Sequence, residues 1–395
     1  MTIQTTACPP HAREHHWDAL RALLMLLGIP YHVAMTYRAD EVWILTSGQG
    51  APVFNAIAQA IHVFRMPAFF IVAGYFAALL LARRAPGPWL KGRLVRLAIP
   101  LVAALLTLNP LLNLLCEISN LGWPGALPSW KHESLTSGGY GIRHLWFLIV
   151  LLYLSGAAAL AHRISPGLAH ATLRPAWDAW LARHFEVSLI AIALLLGLWM
   201  GGAIELFYVA GLATQLPQQI LRLDQLIEFA PWFLIGALIA RAPALKAALY
   251  RFSLPIALLS IAALALDLAF REQLWPPYGR FLDTLAAVGL SQLLIATIKR
   301  FADRPSPLVQ EIVKASFVIY LFHLPILTGL VILGKMLILP LALKAGLLMM
   351  LTLALSWGVW LIVRRSPALR LLYDGTRPPQ IARPPAPRVL SRQGA

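Results

Sequence analysis

The sequence predicts an all-α fold, a polytopic integral membrane bundle of about ten transmembrane helices with both termini in the cytoplasm. Three observations predict it. Hydrophobic residues make up 59% of the 395 and charged residues 13%, and mean hydropathy is +0.70, which leaves too little polar surface to coat a water-soluble globule of this size. Apolar runs long enough to cross a hydrocarbon core recur along nearly the whole chain. They are unbroken, rich in Leu and Ala, and end at Pro, Gly or Arg, whereas barrel strands would be short and alternating.

A polar tail, Met1 to His16, comes first, and nothing after the first apolar run resembles a cleavage site, so that run is expected to remain as a helix. The expected spans are Trp17 to Tyr37, Val53 to Leu81, Leu97 to Cys116, His144 to Ala161, Val187 to Ile204, Phe229 to Ala240, Leu254 to Phe270, Phe281 to Ile298, Ile312 to Leu333 and Leu339 to Val363. The sixth is short, and pairing it differently would give about eight or twelve crossings. Residues 17–365 thus form the transmembrane domain. The segment 366–395, rich in Pro and Arg, reads as a disordered cytoplasmic tail able to touch anionic headgroups.

A formal net charge of +16 would suggest nucleic acid for a soluble chain. Here most Lys and Arg fall in alternate short loops, at Arg83 to Arg96, Arg163 to Arg183, Arg241 to Arg251 and Lys299 to Arg304, and in the C-terminal segment. That asymmetry is the positive-inside signature, so no nucleic-acid partner is expected and the partners are lipid and small molecules. The two cysteines, Cys8 and Cys116, supply neither a disulfide framework nor a metal cluster. No metal set is expected; His11, His15 and His16 read as an incidental tail cluster.

Ionisable groups inside the apolar runs mark a candidate site, because a charge in hydrocarbon costs at least ~2.5 kcal/mol and needs a partner or a task. Arg21 and His32 lie eleven positions apart, so eleven steps of about 100° return them to one face. Asp18 and Gly28 join that stripe, and Gly28 would leave room for a slender ligand. The plain alternative is that Arg21 snorkels beside Asp18 while His32 bonds a neighbouring helix. On the second run Asn55, Gln59, His62 and Arg65 align, and Arg65 lies too deep for snorkelling. On the ninth, Ser316, Tyr320 and His323 share a face, and Pro325 would free backbone carbonyls there. His144 and Trp146 open the fourth run, where an interfacial aromatic belt explains the Trp equally well. Arg93 and Arg96 can fork a phosphate, or simply form a positive-inside loop.

Together these residues resemble the membrane acyltransferase family 3. The matching pieces are Arg21 with His32, the FFxxxGY segment Phe69 to Tyr75, the RxxRLxxP stretch Arg93 to Pro100, the HLWFL run His144 to Leu148 and the SFxIYLxHxP end Ser316 to Pro325. Three further segments, Asp18 to Tyr37, Phe64 to Phe76 and Pro231 to Leu238, are similar to the glucans biosynthesis protein C subgroup. Ala73 stands where the family usually carries Ser, and Leu324 where a second His can occur.

The resemblance implies a membrane-bound O-acyltransferase of the bacterial inner membrane that moves a succinyl group from cytoplasmic acyl-CoA, as co-substrate with no permanently bound cofactor, to hydroxyls of periplasmic glucan. On that reading His32, Arg65 and His323 are the catalytic candidates, with His32 as base. Arg21, Arg93 and Arg96 are the donor-binding candidates. Asp18, Tyr320, His144, Trp146 and Ser316 are the orienting or acceptor-side candidates, with Asp18 or Asp283 able to orient a histidine. The competing readings are an O-acetyltransferase of another envelope polysaccharide and a saccharide transporter, since intramembrane Arg and His also mark transport pathways.

Overall fold

The computed structural model describes residues 14–40, 43–45, 47–212 and 215–376, and every regular element among them is helical. The first rod is α1 (His15–Leu26) followed after a slight break by α2 (Gly28–Thr36), and the second is the 30-residue α3 (Pro52–Leu81). Next come α4 (Pro86–Leu106) and α5 (Leu108–Thr136), bent 41° where they meet, the short α6 (Gly138–Ile142) and α7 (Trp146–Ile164). The surface helix α8 (Pro175–Arg183) precedes α9 (Phe185–Trp199), which runs through a π-helical turn, Met200–Ile204, into α10 (Glu205–Val209). Then follow α11 (Leu216–Leu221), α12 (Leu223–Ile239), α13 (Pro243–Leu249) and α14 (Leu254–Phe270). The chain closes with α15 (Pro276–Ala302), α16 (Pro307–Gly334), α17 (Leu341–Val363) and α18 (Pro367–Asp374).

Among the described residues seven helices are long and apolar enough to cross a membrane, or nine if each bent pair is one span. That is fewer than the ten expected: Leu254–Phe270, at 17 residues, is shorter than the rest. Two expected spans also change shape. The run Leu97 to Cys116 is broken at Thr107, whose hydroxyl donates to the Ala103 carbonyl at 2.6 Å. Pro110, which has no N–H to continue the ladder, follows in the first turn of α5. The short sixth run is the second half of α12, which starts earlier, at Leu223, after Arg222 in a left-handed conformation. Ser366–Asp374, expected to be part of a disordered tail, caps and forms α18 instead, its apolar side lying on α4 and α16. The rest of that tail, and Met1 to Arg13 of the N-terminal one, lie outside the described residues.

The bundle is organised around α3, whose closest neighbour is α12. Gly74 of α3 and Gly236 of α12 face each other's backbones so closely that an added Cβ would lie 1.9 Å from the Phe233 and Ile71 carbonyl oxygens respectively. Small residues of this kind let helices approach in lipid, where apolar burial between helices contributes little. The glycine of the FFxxxGY segment is thus a packing device, and it fixes the wall against which Phe70 and Phe229 stack at 4.8 Å.

One end of the bundle is basic and locked. Lys246 donates to Glu14 at 2.9 Å, Tyr75 also donates to Glu14, and His16 bridges Asp303 at 2.8 Å and Tyr250 at 3.0 Å. Burial pushes the Asp303 carboxyl up, but hydrogen bonds from Lys299 and His16 outweigh it and hold it well below the usual carboxylate range. Asp374 of α18 reaches Arg96 at the same end, so both ends of the described chain meet there. At the opposite end Asp267 and Asp283 both accept from Gln59, at 3.0 and 2.7 Å.

Candidate functional site

Three helices bring imidazoles together in the interior. His32 of α2, His144 just before α7 and His323 of α16 are all buried. Ring centroids lie 5.1 Å apart for His32 and His323 and 5.7 Å for His144 and His323. Arg65 of α3 completes the group, its guanidinium carbon 4.7 Å over the Tyr31 ring. Among the described residues no carboxylate pairs with it. The Nδ1 of His32, the Nε of Arg65, both ring nitrogens of His144 and the Nε2 of His323 are buried without a hydrogen-bond partner. So many orphaned polar atoms in one place signal a missing polar occupant, since buried polar groups are otherwise satisfied. His32, Arg65 and His144 line a cavity of about 380 Å³, with Tyr31, Trp146 and Tyr320 on its walls.

Two tautomeric and rotational facts narrow the roles. The Nδ1 of His323 lies 2.7 Å from the Tyr320 carbonyl and 3.2 Å from that of Ile319. Carbonyls only accept, so Nδ1 carries the proton and the neutral ring presents its Nε2 lone pair. That nitrogen lies 3.5 Å from where a Cβ on Gly28 would be, and the Nη1 of Arg65 lies 3.1 Å from it. Gly28 therefore makes room for Arg65 and His323, not for a ligand as expected from the helix stripe. The Tyr320 hydroxyl donates to the His144 carbonyl at 2.7 Å, so its one proton is committed to holding the α7 entrance rather than to a reacting oxyanion. The carbonyls of Tyr320 and Leu321 lie beside the His144 ring; Pro325 leaves that of Leu321 without its helical donor, although α16 itself continues through the proline.

A second, narrower cavity of about 100 Å³ holds Arg21, Arg93 and Arg96 together with Ser316 and Ala73. It shares Met25, Phe69 and Phe147 with the imidazole chamber, so the two are consecutive, separated by three side chains. Arg93 lies over the Trp89 ring at 5.9 Å and reaches the Ser155 hydroxyl at 3.5 Å; Arg21 lies over Phe76 at 5.7 Å. The partner of Arg96 is Asp374 at 3.9 Å. Burial pushes the Asp374 carboxyl up, against the pull of the Thr376 hydroxyl and of Arg96 and Arg370. Three guanidiniums at the basic end form an anion funnel that leads toward the imidazoles.

The structure thus splits the residues read from the sequence into two groups. His32, Arg65, His144, Trp146 and Tyr320 meet at the chamber, and His323 packs against His32 and His144 behind its wall. Arg21, Arg93, Arg96 and Ser316 meet at the funnel, so Ser316 does not share a cavity with Tyr320 as its helix face suggested; its hydroxyl donates to Val313 at 3.0 Å. Asp18 pairs with Arg21 at 3.7 Å, and Asp283 is held by Gln59 and by Arg271 at 3.7 Å. Neither carboxylate lines the chamber, so neither orients a histidine there. Sequence reasoning missed Glu228, Arg143 and Arg222 on the chamber wall. Glu228 lies one residue before the expected sixth span, Phe229 to Ala240, and inside α12. Arg143 and Arg222 reach the chamber from left-handed backbone, φ 46° and 54°, which only the fold can enforce on a non-glycine.

An acyltransferase domain model matches residues 14–361. The chain is similar to glucans biosynthesis protein C of Escherichia coli strain K12, 29% identical over 334 residues that cover 80% of this chain and 83% of the relative. The proteins of the same description from E. coli strains 536 and HS match to the same extent. No solved structure matches the chain. With nearly its whole helical bundle spanned by one family model, the chain belongs to the acyltransferase domain family and is an integral membrane acyltransferase.

Proposed function

We propose that this protein sits in the bacterial inner membrane and transfers an acyl group, succinyl by its resemblance, from cytoplasmic acyl-CoA to a hydroxyl of periplasmic glucan. The observation that carries the reading is the pair of cavities end to end, guanidiniums in one and unpartnered imidazoles in the other. The positive-inside asymmetry assigns the guanidinium end to the cytoplasm, where acyl-CoA is made. Arg21, Arg93 and Arg96 grip the donor's phosphates, and the thin pantetheine arm passes Met25, Phe69 and Phe147 to bring the thioester beside His32.

There the acceptor hydroxyl attacks the thioester carbonyl as its proton passes to His32. The His323 ring, its centroid 5.1 Å from that of His32, lies beside the imidazolium so formed. Arg65, which pairs with no carboxylate among the described residues, holds the oxyanion. Collapse breaks the carbon–sulfur bond, His32 returns the proton to the thiolate, and the ester and free CoA leave. The name of the relatives supports glucan as acceptor class, and the resemblance of Asp18 to Tyr37 and Phe64 to Phe76 supports succinyl.

The test is acyl transfer from succinyl-CoA to a β-glucan by the purified, reconstituted protein. His32→Ala is expected to lower kcat by about 10² to 10⁴ with the fold intact by circular dichroism. Arg93→Ala with Arg96→Ala should raise the donor KM and leave the glucan KM unchanged. Wild-type turnover in His32→Ala would end the assignment.

A further inference from the structure

A third cavity remains without a role in this scheme. It has a volume of about 220 Å³ and lies between α3, the π-helical turn after α9, α12 and the first turns of α15. It shares His62, Glu228 and Phe229 with the imidazole chamber, so those three side chains frame an aperture between the two. On its far side, at Arg271, it adjoins a further space of about 310 Å³ lined by Arg38, Asp40, Asn55 and Gln59. The succession runs away from the guanidinium funnel toward the opposite end of the bundle.

From this geometry we infer that the third cavity is the acceptor subsite: a neutral, hydroxyl-rich oligosaccharide lies in it and passes one sugar unit through the His62–Glu228 aperture to the base. The inference rests on the acyl-transfer reading for its purpose, while the binding itself is separable. Its walls carry two carboxyl groups, Glu228 and Asp283, beside two guanidiniums, Arg271 and Arg280. Carboxylates accept from hydroxyls and guanidiniums donate to them, and both are needed by a ligand whose every group does both. Aromatic faces complete the set: Trp232 is buried in the wall, and Tyr208 is half exposed beneath the Arg280 guanidinium at 5.1 Å. Such faces cover the apolar C–H side of a pyranose ring.

The existing contacts fill part of this polar set: Arg271 pairs with Asp267 at 2.7 Å and with Asp283 at 3.7 Å, Arg280 donates to Glu205, Asp283 accepts from Gln59 at 2.7 Å, and Glu228 accepts one long bond, 3.3 Å from Gln225. Each carboxylate has further lone pairs, and a polar cavity at membrane depth demands water or a polar ligand. The π-helical turn Met200–Ile204 adds an independent sign, since such turns cost helical regularity and cluster at functional sites. Here the turn puts Met200 and Ile204 on the wall and lets Gly201 pass the Pro277 carbonyl, which an added Cβ would meet at 3.2 Å.

The experiment uses the full-length protein in nanodiscs and a linear β-glucose oligosaccharide carrying a diazirine at its reducing end. Photolysis, digestion and mass spectrometry are expected to place the adduct on peptides from α10, α12 or α15, with loss of labelling when unmodified oligosaccharide is added. In parallel, Tyr208→Ala and Asp283→Asn should each raise the glucan KM roughly tenfold while the succinyl-CoA KM holds. Tyr208 is exposed enough that its variant folds even if Asp283→Asn does not. Adducts confined elsewhere, or labelling that unmodified oligosaccharide does not displace, overturn the subsite even if transfer proceeds. Displaceable labelling at these peptides without any transfer keeps the subsite and removes the acyl-transfer chemistry instead.

Discussion

Arg65 and Tyr320 look interchangeable by residue type as stabilisers of a developing oxyanion, and their hydrogen bonding separates them. The Tyr320 hydroxyl is already donated to the His144 carbonyl, whereas the buried Nε of Arg65 has no partner among the described residues. Removal of a preorganised donor from such a site costs about 10² to 10³ in kcat. Arg65→Gln is therefore expected to lose roughly that factor, and Tyr320→Phe less than about tenfold, as measured by single-turnover acyl transfer. Equal losses in the two variants would place the Tyr320 proton on the reacting carbonyl. At this scale much was legible from the sequence, because a charge or imidazole in an apolar run announces itself: Arg21, His32, Arg65 and His323 were each visible on their own helix. What could not be read was which helices turn these faces toward one another. Gly28 looked like room for a ligand because the arrival of Arg65 and His323 above it is a tertiary fact, and Glu228 and Arg222 were silent because their approach depends on where α12 begins.

Elements decide how the two cavities stay distinct. The face of α3 toward α1, α4 and α7 carries Phe69, Ala73, Phe76 and Leu80 into the guanidinium funnel, while His62, Arg65 and Met66, on its earlier turns, line the chamber. The backbone contact of Gly74 and Gly236 fixes the depth of α3 against α12, and so the throat at Phe69. Helical periodicity exposed the polar stripes, and the apolar runs placed nearly every helix. The break at Thr107 escaped because a hydroxyl back-bond and Pro110 do not interrupt an apolar run, and the π-helical turn after Trp199 because no run of residue types demands it. Ala73 offers a clean probe of this element. It is small, lines the funnel and touches neither the imidazoles nor the third cavity. Ala73→Leu should fill the passage for the pantetheine arm and raise the succinyl-CoA KM several-fold, with little change in the KM for glucan. A rise in the glucan KM alone would mean that the acceptor, and not the donor, uses this route.

For the whole molecule the decisive feature is polarity across the bilayer. Arg21, Arg93 and Arg96 gather at the end that holds α18 and the Glu14–Lys246 and His16–Asp303 contacts, the imidazole chamber follows, and the cavities lined by both carboxyls and guanidiniums lie toward the other end. If this series is one continuous path, the two substrates must enter from opposite sides, and neither has to cross the membrane whole. The consequence is measurable in proteoliposomes of defined orientation, sorted by protease access to a tag placed after Ala395. With the tagged face outward, succinyl-CoA added outside and glucan sealed inside, acylated glucan should accumulate in the lumen and free CoA thiol in the external medium, in equal amounts. With the orientation reversed and the same solutions, the rate should fall to the level of protein-free vesicles, because the phosphates then meet the end without the arginine funnel and a multiply charged nucleotide cannot cross the hydrocarbon core. Raising the salt in the productive orientation should increase the donor KM, since exposed guanidiniums attract phosphates less once the screening length shortens. Equal rates in both orientations would mean that the cavities are not traversed in series, and the assignment of one substrate to each end would have to be abandoned.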